Sequence, residues 1–298
     1  RFAELTGLPK AEITGRKLIG LLGQDRGRVY EEIAERVHST GHESTLVQTF
    51  SDGDEEVVWR SYHCMLPSSG DAQADVLTTI EDLTDLTRER RRREQNTRQL
   101  IDTLVGLVDE RDPDSAHQSR FVSQVSRQLA TELGLEPLLI DTAEQAGRLV
   151  NIGKIRVPEE ILTKQGALTD AERALVHSAL DSGPRLLRHL TFEGPVIKTL
   201  EQINERFDGK GRPQGLSGDD ILATAQTVAV ANTFVAMISP RAFREGHSFD
   251  EAENELLREA DQKFDKKVVL SLLNFLNNKG GRQAWAFMTA SREQGATD

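Results

Sequence analysis

Sulfur, aromatic side chains and long apolar runs are scarce in this chain of 298 residues, and each shortage excludes a class of protein. The single cysteine, Cys64, excludes an internal disulfide and fits a reducing compartment. No apolar run approaches the roughly 18 residues that span a bilayer, so we expect no membrane helix in this stretch. A formal net charge of -11 leaves no basic excess for non-specific nucleic-acid binding. We expect a cytoplasmic protein. Because residue 1 is not methionine and no secretory signal is apparent there, we expect a fragment of a longer chain.

The composition that remains is that of a globular, mainly helical protein. Hydrophobic residues make up 37% of the chain and charged residues 29%, which excludes a disordered chain. Leucine, alanine, glutamate, arginine and glutamine dominate, and aromatic residues are only 5%. The length is enough for two domains of ordinary size. We therefore predict an α+β protein in which helices outweigh a small sheet.

The N-terminal part, residues 1–83, is predicted to form an antiparallel sheet with helices. Apolar residues recur every four positions at Val29, Ile33 and Val37, which is typical of a helix with one buried face. Three imperfectly alternating stretches predict strands, and turn sequences separate them. The strands are predicted at residues 44–50, 56–66 and 74–80, with turns at 51–54 and 67–71.

Two short motifs flank this region. The run from Phe2 to Gly7 resembles the phenylalanine-x-x-leucine-threonine-glycine turn of PAS sensor domains, and Asp82-Leu83-Thr84 resembles the motif at which such domains pass into an output helix. The resemblance implies a PAS-like sensor of α/β type that lacks its first two strands. Its ligand is unknown from the sequence, and no cofactor is expected. The candidate ligands for haem or flavin are better explained by ordinary surface or core positions. These candidates are His38, His42, His63 and Cys64.

Residues 84–111 are predicted to form one long linker helix, with Gly106 as its only weak point. Leucines near heptad a and d positions predict a homodimer through a parallel two-helix seam over residues 84–108. They are Leu83, Leu86, Leu100, Leu104 and Leu107. Five arginines between residues 88 and 93 would leave the middle of the seam poorly packed. A solvated linker helix, or a basic run that pairs with the acidic body of the protein, remains the alternative.

The C-terminal part, residues 112–280 with a tail at 281–298, resembles the HD-GYP domains, whose members hydrolyse the bacterial second messenger cyclic di-GMP. The signature run is Leu149-Val150-Asn151-Ile152-Gly153-Lys154-Ile155, and a second run extends from Ile203 to Leu216. The closing helix start is Phe264-Asp265. The resemblance implies an all-α HD-domain helical bundle. In the family, a histidine–aspartate pair within the signature holds two metal ions.

Carried over residue by residue, the resemblance implies that most metal ligands have been replaced. His117 and His177 are retained. The replaced positions are Val150, Asn151, Ile203, Asn204 and Asn232. Valine has no lone pair and a neutral amide is a poor ligand for a divalent cation, so no metal is expected. The remaining pocket residues are Lys154 and Glu205. The loop equivalent to Gly-Tyr-Pro has Arg212 in place of the tyrosine. It comprises Arg206, Asp208, Gly209, Gly211, Arg212 and Pro213.

Two interpretations of this polar set stay open. In the first, Lys154, Arg206 and Arg212, together with His117 and His177, line a site for a nucleotide phosphate or for the acidic surface of a partner. In the second, Lys154 and Arg206 pair with Glu205 or Asp208, and His117 and His177 are core histidines. The glycines of the loop are explained by backbone geometry, because glycine tolerates positive φ at little cost.

The prediction from sequence is a bacterial signal-transduction regulator whose output domain has lost catalysis and acts through protein interaction or ligand sensing. Phosphodiester cleavage in this family needs metal ions to activate water, and the ligand positions argue against them. The alternatives are a metal-dependent cyclic di-GMP phosphodiesterase with a rearranged metal site and a metal-free cyclic di-GMP receptor. A signalling protein and a cyclic dinucleotide are the candidate partners, and nucleic acid is not expected.

Overall fold

The computed structural model describes residues 7–52, 55–66, 75–112, 117–240 and 245–289. The chain divides into two units, Arg1–Thr97 and Arg98–Asp298. Several predicted features lie wholly or partly outside the described residues: the motif before Gly7, the two turns and the end of the tail. No helix in the described part of the chain has both the length and the apolarity that crossing a bilayer would take.

The N-terminal unit contains the antiparallel sheet that the alternation predicts. Its elements are α1 (Lys10–Ile13), α2 (Leu18–Leu22), α3 (Gln24–Thr40), β1 (Ser44–Asp52), β2 (Glu55–Met65) and β3 (Val76–Asp82). The strands pair in the order β1-β2-β3, so β2 is central. Successive side chains of a strand point to opposite faces, and one face is covered by α3. The helix buries Tyr30, Ile33 and Val37. Two of the three residues of the predicted spacing, Ile33 and Val37, are thus buried, and the third, Val29, is half-buried.

A small polar network lies within this buried layer. His63 of β2 is fully buried, and its two ring nitrogens contact Thr78 Oγ1 at 2.9 Å and Ser61 Oγ at 3.0 Å. Burial lowers the pKa of His63, because an apolar environment disfavours the imidazolium. The histidine is therefore a bonded core residue. His38 and His42, by contrast, are exposed.

The aspartate-x-threonine motif joins the sheet to the next helix. Thr84 is buried; its amide donates to Asp82 Oδ1 at 2.9 Å, and its hydroxyl accepts from the amide of Val58 at 3.0 Å. These bonds anchor α4 (Thr84–Arg111), which matches the predicted linker helix.

The boundary between the two units lies inside α4, whereas the sequence placed residues 84–111 between two domains. Ile101, Val105 and Val108 are buried in the hydrophobic core of the C-terminal unit, and Leu104 packs against that core. Leu100 and Leu107 of the predicted seam are exposed. The second half of the helix is thus amphipathic and belongs to the helical bundle.

Helices make up the C-terminal unit. They are α5 (Gln118–Glu132), α6 (Pro137–Leu149), α7 (Glu159–Leu162), α8 (Asp170–Asp181), α9 (Gly183–Leu186), α10 (Val196–Gln202), α11 (Ala223–Ile238), α12 (Phe249–Arg258), α13 (Lys266–Asn278) and α14 (Gly281–Ala284). Short 3₁₀ turns lie at Ile152–Arg156, Gly218–Asp220 and Ala286–Thr289. The core sits where α5, α6 and α11 meet, around Leu129, Leu149 and Phe234, all fully buried.

Local caps set where these helices start. Thr169 and Glu172 form a reciprocal capping box at α8, and Ser248 and Glu251 form another at α12. Asp265 accepts from the amide of Lys267 at 2.7 Å and starts α13, as the Phe264-Asp265 motif predicts. The elements that carry the candidate site are therefore positioned by signals that are present in the sequence.

Candidate functional site

The signature segment forms a 3₁₀ turn, Ile152–Arg156, that packs tightly on α8 and α9. A Cβ added at Gly153 would lie 2.3 Å from the carbonyl oxygen of Ala179 and 2.7 Å from Leu180 Cα. A Cβ at Gly183 would lie 3.1 Å from the amide nitrogen of Gly153. Gly153 thus has no room for a side chain, and a side chain at Gly183 would be tight. Val150 and Asn151 lie just before the turn, and both are buried.

Asn151 is bonded to a neighbouring helix. Its amide donates to Ser119 Oγ on α5 at 3.2 Å, and both side chains are buried. His117 precedes α5, is exposed, and has φ of 88° in the left-handed region. The idea that His117 is a core histidine is therefore wrong: its position is a strained and accessible helix start.

The end of the linker helix contacts the signature turn directly. Lys154 Nζ lies 2.8 Å from Asp112 Oδ2, and the side chains are 12% and 7% exposed. Arg111 donates to the carbonyl oxygens of Ile155 and, at 3.1 Å, of Val157. Lys154 thus pairs with the last residue described in the α4 segment, and not with Glu205 or Asp208 as the second interpretation expected.

Asp109 adds a further carboxyl to this region. Burial raises the pKa of Asp109, while the nearby charges of His117, Lys154 and Arg148 act in the opposite direction. We call Asp109, Asp112, His117 and Lys154 the linker-end cluster. Its electrostatic balance combines two carboxyls from the α4 segment with one lysine from the signature turn.

The loop after α10 is braced by a buried carboxylate. Glu205 is 5% exposed and accepts from the amides of Gln214 at 2.7 Å and Leu216 at 3.0 Å. A Cβ at Gly211 would lie 2.2 Å from the backbone nitrogen of Arg206, so the loop folds back on itself at a point only glycine permits. The Arg212–Pro213 peptide bond is cis.

Arg206 serves this loop internally. It pairs with Asp208 at 3.0 Å through two nitrogens, in the fork geometry that arginine offers to carboxylates. The Arg206 guanidinium lowers the pKa of Asp208 to about 2. The second interpretation is correct for Arg206, because its guanidinium pairs with Asp208 of the same loop.

Arg212 reaches out of the loop to α8. Its Nη2 lies 3.3 Å from His177 Nδ1, and its Nη1 lies 3.4 Å from Asp181 Oδ2. Asn204 donates to the other oxygen of Asp181 at 2.8 Å. His177 is exposed and is therefore not a core histidine. These contacts define a second group, the His177 cluster, made of His177, Asp181, Asn204 and Arg212.

The structure thus divides four of the predicted pocket residues between two clusters, with His117 and Lys154 in one and His177 and Asn204 in the other. Ile203 is half-buried against the hydrophobic core, and Asn232 is half-buried on α11. No hydrogen bond in the described ranges joins Asn232 to either cluster. Among those residues, no group of three or more histidine, cysteine, aspartate or glutamate side chains could hold a metal ion.

Sequence reasoning missed Asp109, Asp181, Arg173 and Arg185. Arg173 and Asp181 had a signal, because they lie four residues on either side of His177, the spacing that brings the side chains of one helix to one face. Arg185 continues the same spacing in the sequence but lies on α9. Asp109 had none, since its role depends on where the end of α4 meets the signature turn. All four become visible once helices α4, α8 and α9 are packed.

Comparison with known proteins gives a consistent result. A family model described as HD domain matches residues 77–268. The chain is similar to a probable cyclic di-GMP phosphodiesterase of Vibrio cholerae serotype O1, 31% identical over 190 residues that cover 58% of this chain and 43% of that protein. It is also similar to the cyclic di-GMP phosphodiesterase response regulator RpfG of Xanthomonas campestris pv. campestris, 31% identical over 182 residues that cover 60% of this chain and 48% of that protein. The chain spans less than half the length of each.

Similarity extends to one further curated protein and to solved structures. A cyclic di-GMP phosphodiesterase of Pseudomonas aeruginosa is 36% identical over 141 residues, which cover 47% of this chain and 34% of that protein. A crystal structure of a cyclic GMP-AMP specific phosphodiesterase of V. cholerae has a TM-score of 0.48 and 16% identity, and the match covers 64% of this chain and 50% of that one.

These curated relatives contradict the expectation of a catalytically inactive regulator. Proteins matched over as many as 190 residues carry names that describe phosphodiesterases. The expectation was wrong because it inferred loss of activity from a few substituted positions, whereas the similarity to these relatives covers 47–60% of the chain.

Proposed function

This chain belongs to the HD domain family, and on that premise we propose that its C-terminal unit acts on a cyclic dinucleotide and hydrolyses cyclic di-GMP. The observation that carries the proposal is the extent of similarity to proteins named as cyclic di-GMP phosphodiesterases, over 141 to 190 residues. These relatives also support the HD-GYP resemblance. Two V. cholerae relatives, 26% and 29% identical, are named as 3'3'-cGAMP-specific phosphodiesterases, so cyclic GMP-AMP is the second substrate to assay.

The residues at the matched positions do not fit the pair of metal ions that the resemblance implies. Val150 offers no lone pair, and the amides of Asn151, Asn204 and Asn232 are neutral where carboxylates or imidazoles would bind a cation. The His177 cluster contains one imidazole and one carboxylate, and Asp181 is already engaged by Arg212 and Asn204. No step of the proposed reaction is therefore assigned to a metal at these positions.

The proposed reaction uses groups that the chain itself places together. Hydrolysis of one phosphodiester bond adds a water molecule: its oxygen bonds to phosphorus, the bond to a ribose oxygen breaks, and that oxygen takes up a proton. His177 is the group placed to carry the proton, since an imidazole both accepts and donates near neutral pH. Arg212, 3.3 Å from it, would stabilise negative charge on the phosphate oxygens.

The experiment is a hydrolysis assay with two variants. The purified chain is incubated with cyclic di-GMP, once with added Mn²⁺ or Fe²⁺ and once with EDTA, and the linear dinucleotide is detected by mass spectrometry. We expect product in at least one condition, and H177A to lose roughly 10²–10⁴-fold of the rate, the usual contribution of a general acid or base. H189A is the control, because His189 is exposed and contacts Arg188 outside the cluster.

Failure has a defined form. If no product appears in any condition while the X. campestris relative turns over the same substrate, phosphodiesterase activity is refuted. Binding of cyclic di-GMP without any product would refute it equally. Equal losses in H177A and H189A would refute the role assigned to His177 alone.

For the N-terminal unit we propose a PAS-like sensor with an unidentified ligand. Support comes from the three antiparallel strands, the covering helix α3 and the bonded Asp82–Thr84 motif. Limited proteolysis of the chain with and without candidate ligands tests this, because a bound ligand should protect α3 and β2. If a ligand raises the melting temperature but leaves the proteolytic cleavage of α3 and β2 unchanged, the sensor proposal is contradicted.

A second copy of the chain is the partner we propose for α4, over residues 84–108. Leu86, Leu100 and Leu107 share one heptad position and are 66%, 43% and 48% exposed. The adjacent stripe of the same helix, Ile101, Val105 and Val108, is buried within the same chain. The exposed stripe is thus free for a parallel seam without competing with the bundle core.

A further inference from the structure

A groove of about 660 Å³ crosses the outer surface of α8 and α9 beside the loop that follows α10. Its lining includes Arg173, Arg185 and Arg212, together with His177 and Asp181. Small-molecule sites usually enclose roughly 300–1,000 Å³. The groove therefore has the size of a site for a ligand such as a dinucleotide, and it contains the histidine to which the proposed reaction assigns proton transfer.

The groove carries positive charge in a chain that is acidic overall. Three arginines face two aspartates, Asp170 and Asp181, which leaves an excess of +1 before His177 is counted. The whole chain has a formal net charge of -11. A local excess of the opposite sign concentrates anions at this surface.

The three guanidinium groups keep donors for a ligand. Arg173 pairs with Asp170 at 2.5 Å, but the Asp170 side chain is 97% exposed, and such solvated pairs contribute little stability. The guanidinium of Arg185 forms no hydrogen bond or ion pair with any other residue of the described ranges. Arg212 contacts His177 and Asp181 through two of its nitrogens, at 3.3 and 3.4 Å. All three can therefore turn to a bound anion at small cost.

The position of Arg212 is set by the folded loop. Its amide donates to the carbonyl oxygen of Asn204 at 3.1 Å. Gly211 packs against the backbone of Arg206 and Glu205 with no room for a side chain. The loop thus presents Arg212 from one side of the groove, while α8 and α9 present Arg173 and Arg185 from the other.

We propose that Arg173, Arg185 and Arg212 bind the phosphate groups of a cyclic dinucleotide in this groove, with one phosphodiester beside His177. The inference rests on the proposed function and adds to it which side chains neutralise the phosphates. A planar guanidinium donates two parallel N–H bonds to two oxygens of one phosphate, which a lysine cannot match. Two phosphates of a cyclic dinucleotide can then be held by three arginines.

Calorimetric titration of the intact chain with cyclic di-GMP, in EDTA, tests the inference. R185Q and R173Q should each weaken binding by at least about tenfold, and the double variant by more. R185K should lose less affinity than R185Q, because lysine keeps the positive charge but lacks the two parallel N–H donors of the guanidinium. R188Q is the control, since Arg188 is exposed and lies outside the groove lining. Binding of the unchanged chain should also weaken as salt is added.

The outcomes separate this inference from the proposed function. If the unchanged chain hydrolyses cyclic di-GMP and R185Q, R173Q and R188Q bind it alike, the groove assignment is overturned and the function stands. If a correctly folded chain neither binds nor hydrolyses the nucleotide, both are overturned. Melting curves of each variant establish folding, and because Arg173 and Arg185 are exposed we expect them to match the unchanged chain.

Discussion

Replacing Asp112 with asparagine tests whether the end of α4 is held to the signature turn by charge. The substitution keeps the shape of the side chain and removes its negative charge. Lys154 then remains 12% exposed, with its ammonium beside a neutral amide 2.8 Å away. A buried charge that loses its partner is poorly solvated, so the folded state should lose free energy.

The size of the loss follows from the burial of the pair. Removing one partner of a buried ion pair costs about 3–5 kcal/mol. Lys154 keeps a further interaction, so we take the lower end, about 3 kcal/mol. In a unit of 150–250 residues each kcal/mol lowers the melting temperature by about 2–4 °C. D112N should therefore melt about 6–12 °C below the unchanged chain.

Differential scanning calorimetry on the full chain measures the shift in the transition of the C-terminal unit. D112N/K154M removes both charges and should recover most of the loss, because the buried ammonium that lost its carboxylate is then absent as well. D141N is the control: Asp141 pairs with Arg127 on the surface, where both side chains are more than 40% exposed, so the loss should stay below about 1 kcal/mol. If D112N melts within 2 °C of the unchanged chain, or the double variant melts below D112N, the reasoning is refuted; that threshold is roughly one kcal/mol.

Three further predictions concern packing, pH and assembly. G153A should destabilise the C-terminal unit by about 1–3 kcal/mol, because its Cβ would meet the carbonyl oxygen of Ala179. G106A should instead stabilise the protein by about 0.5–1 kcal/mol, because Gly106 lies on an exposed helix face with nothing within 4 Å of an added Cβ. Urea unfolding measures both changes, and a G153A variant as stable as the unchanged chain would contradict the close packing. Lys164 and the Thr169 cap lower the pKa of Glu172 from 4.5 to about 2, so its stabilisation is complete above pH 4.5 and is lost as the pH falls towards 2. E172Q should accordingly be less stable at neutral pH, and the difference should vanish near pH 2; a difference in unfolding free energy that does not change with pH would contradict this role of Glu172. In sedimentation, L100K/L107K should convert a dimer to a monomer, whereas the control L270K, which also replaces an exposed leucine, should leave the dimer intact. The seam is ruled out if the unchanged chain sediments as a monomer or if L100K/L107K sediments as a dimer.

Local patterns were enough to predict most elements of this protein. The four-residue spacing of α3, the alternation of three strands and the unbroken helix from Thr84 all appear in the structure with similar bounds. The cap at Asp265 was predicted from a short motif and is present. These features depend on residues a few positions apart, so a single sequence contains the information needed to predict them.

The environment of the candidate site could not be predicted in the same way. The sequence suggested Glu205 or Asp208 as partners of Lys154, but the partner is Asp112, at the end of a different helix. Glu205 instead holds two loop amides. Nor could the heptad pattern of α4 show that Ile101, Val105 and Val108 are buried within the same chain, because one amphipathic helix can present its apolar residues to two neighbours.

By itself the amino-acid sequence determined the helices, the strands, their caps and the family resemblance, since each of these is specified by residues close together along the chain. Only the tertiary structure decided which polar groups meet: Lys154 with Asp112, 42 residues apart, and Arg212 with His177, 35 residues apart. The physical reason is that a side chain is satisfied by whatever packing brings within about 3 Å of it, and that depends on how distant helices are placed against one another.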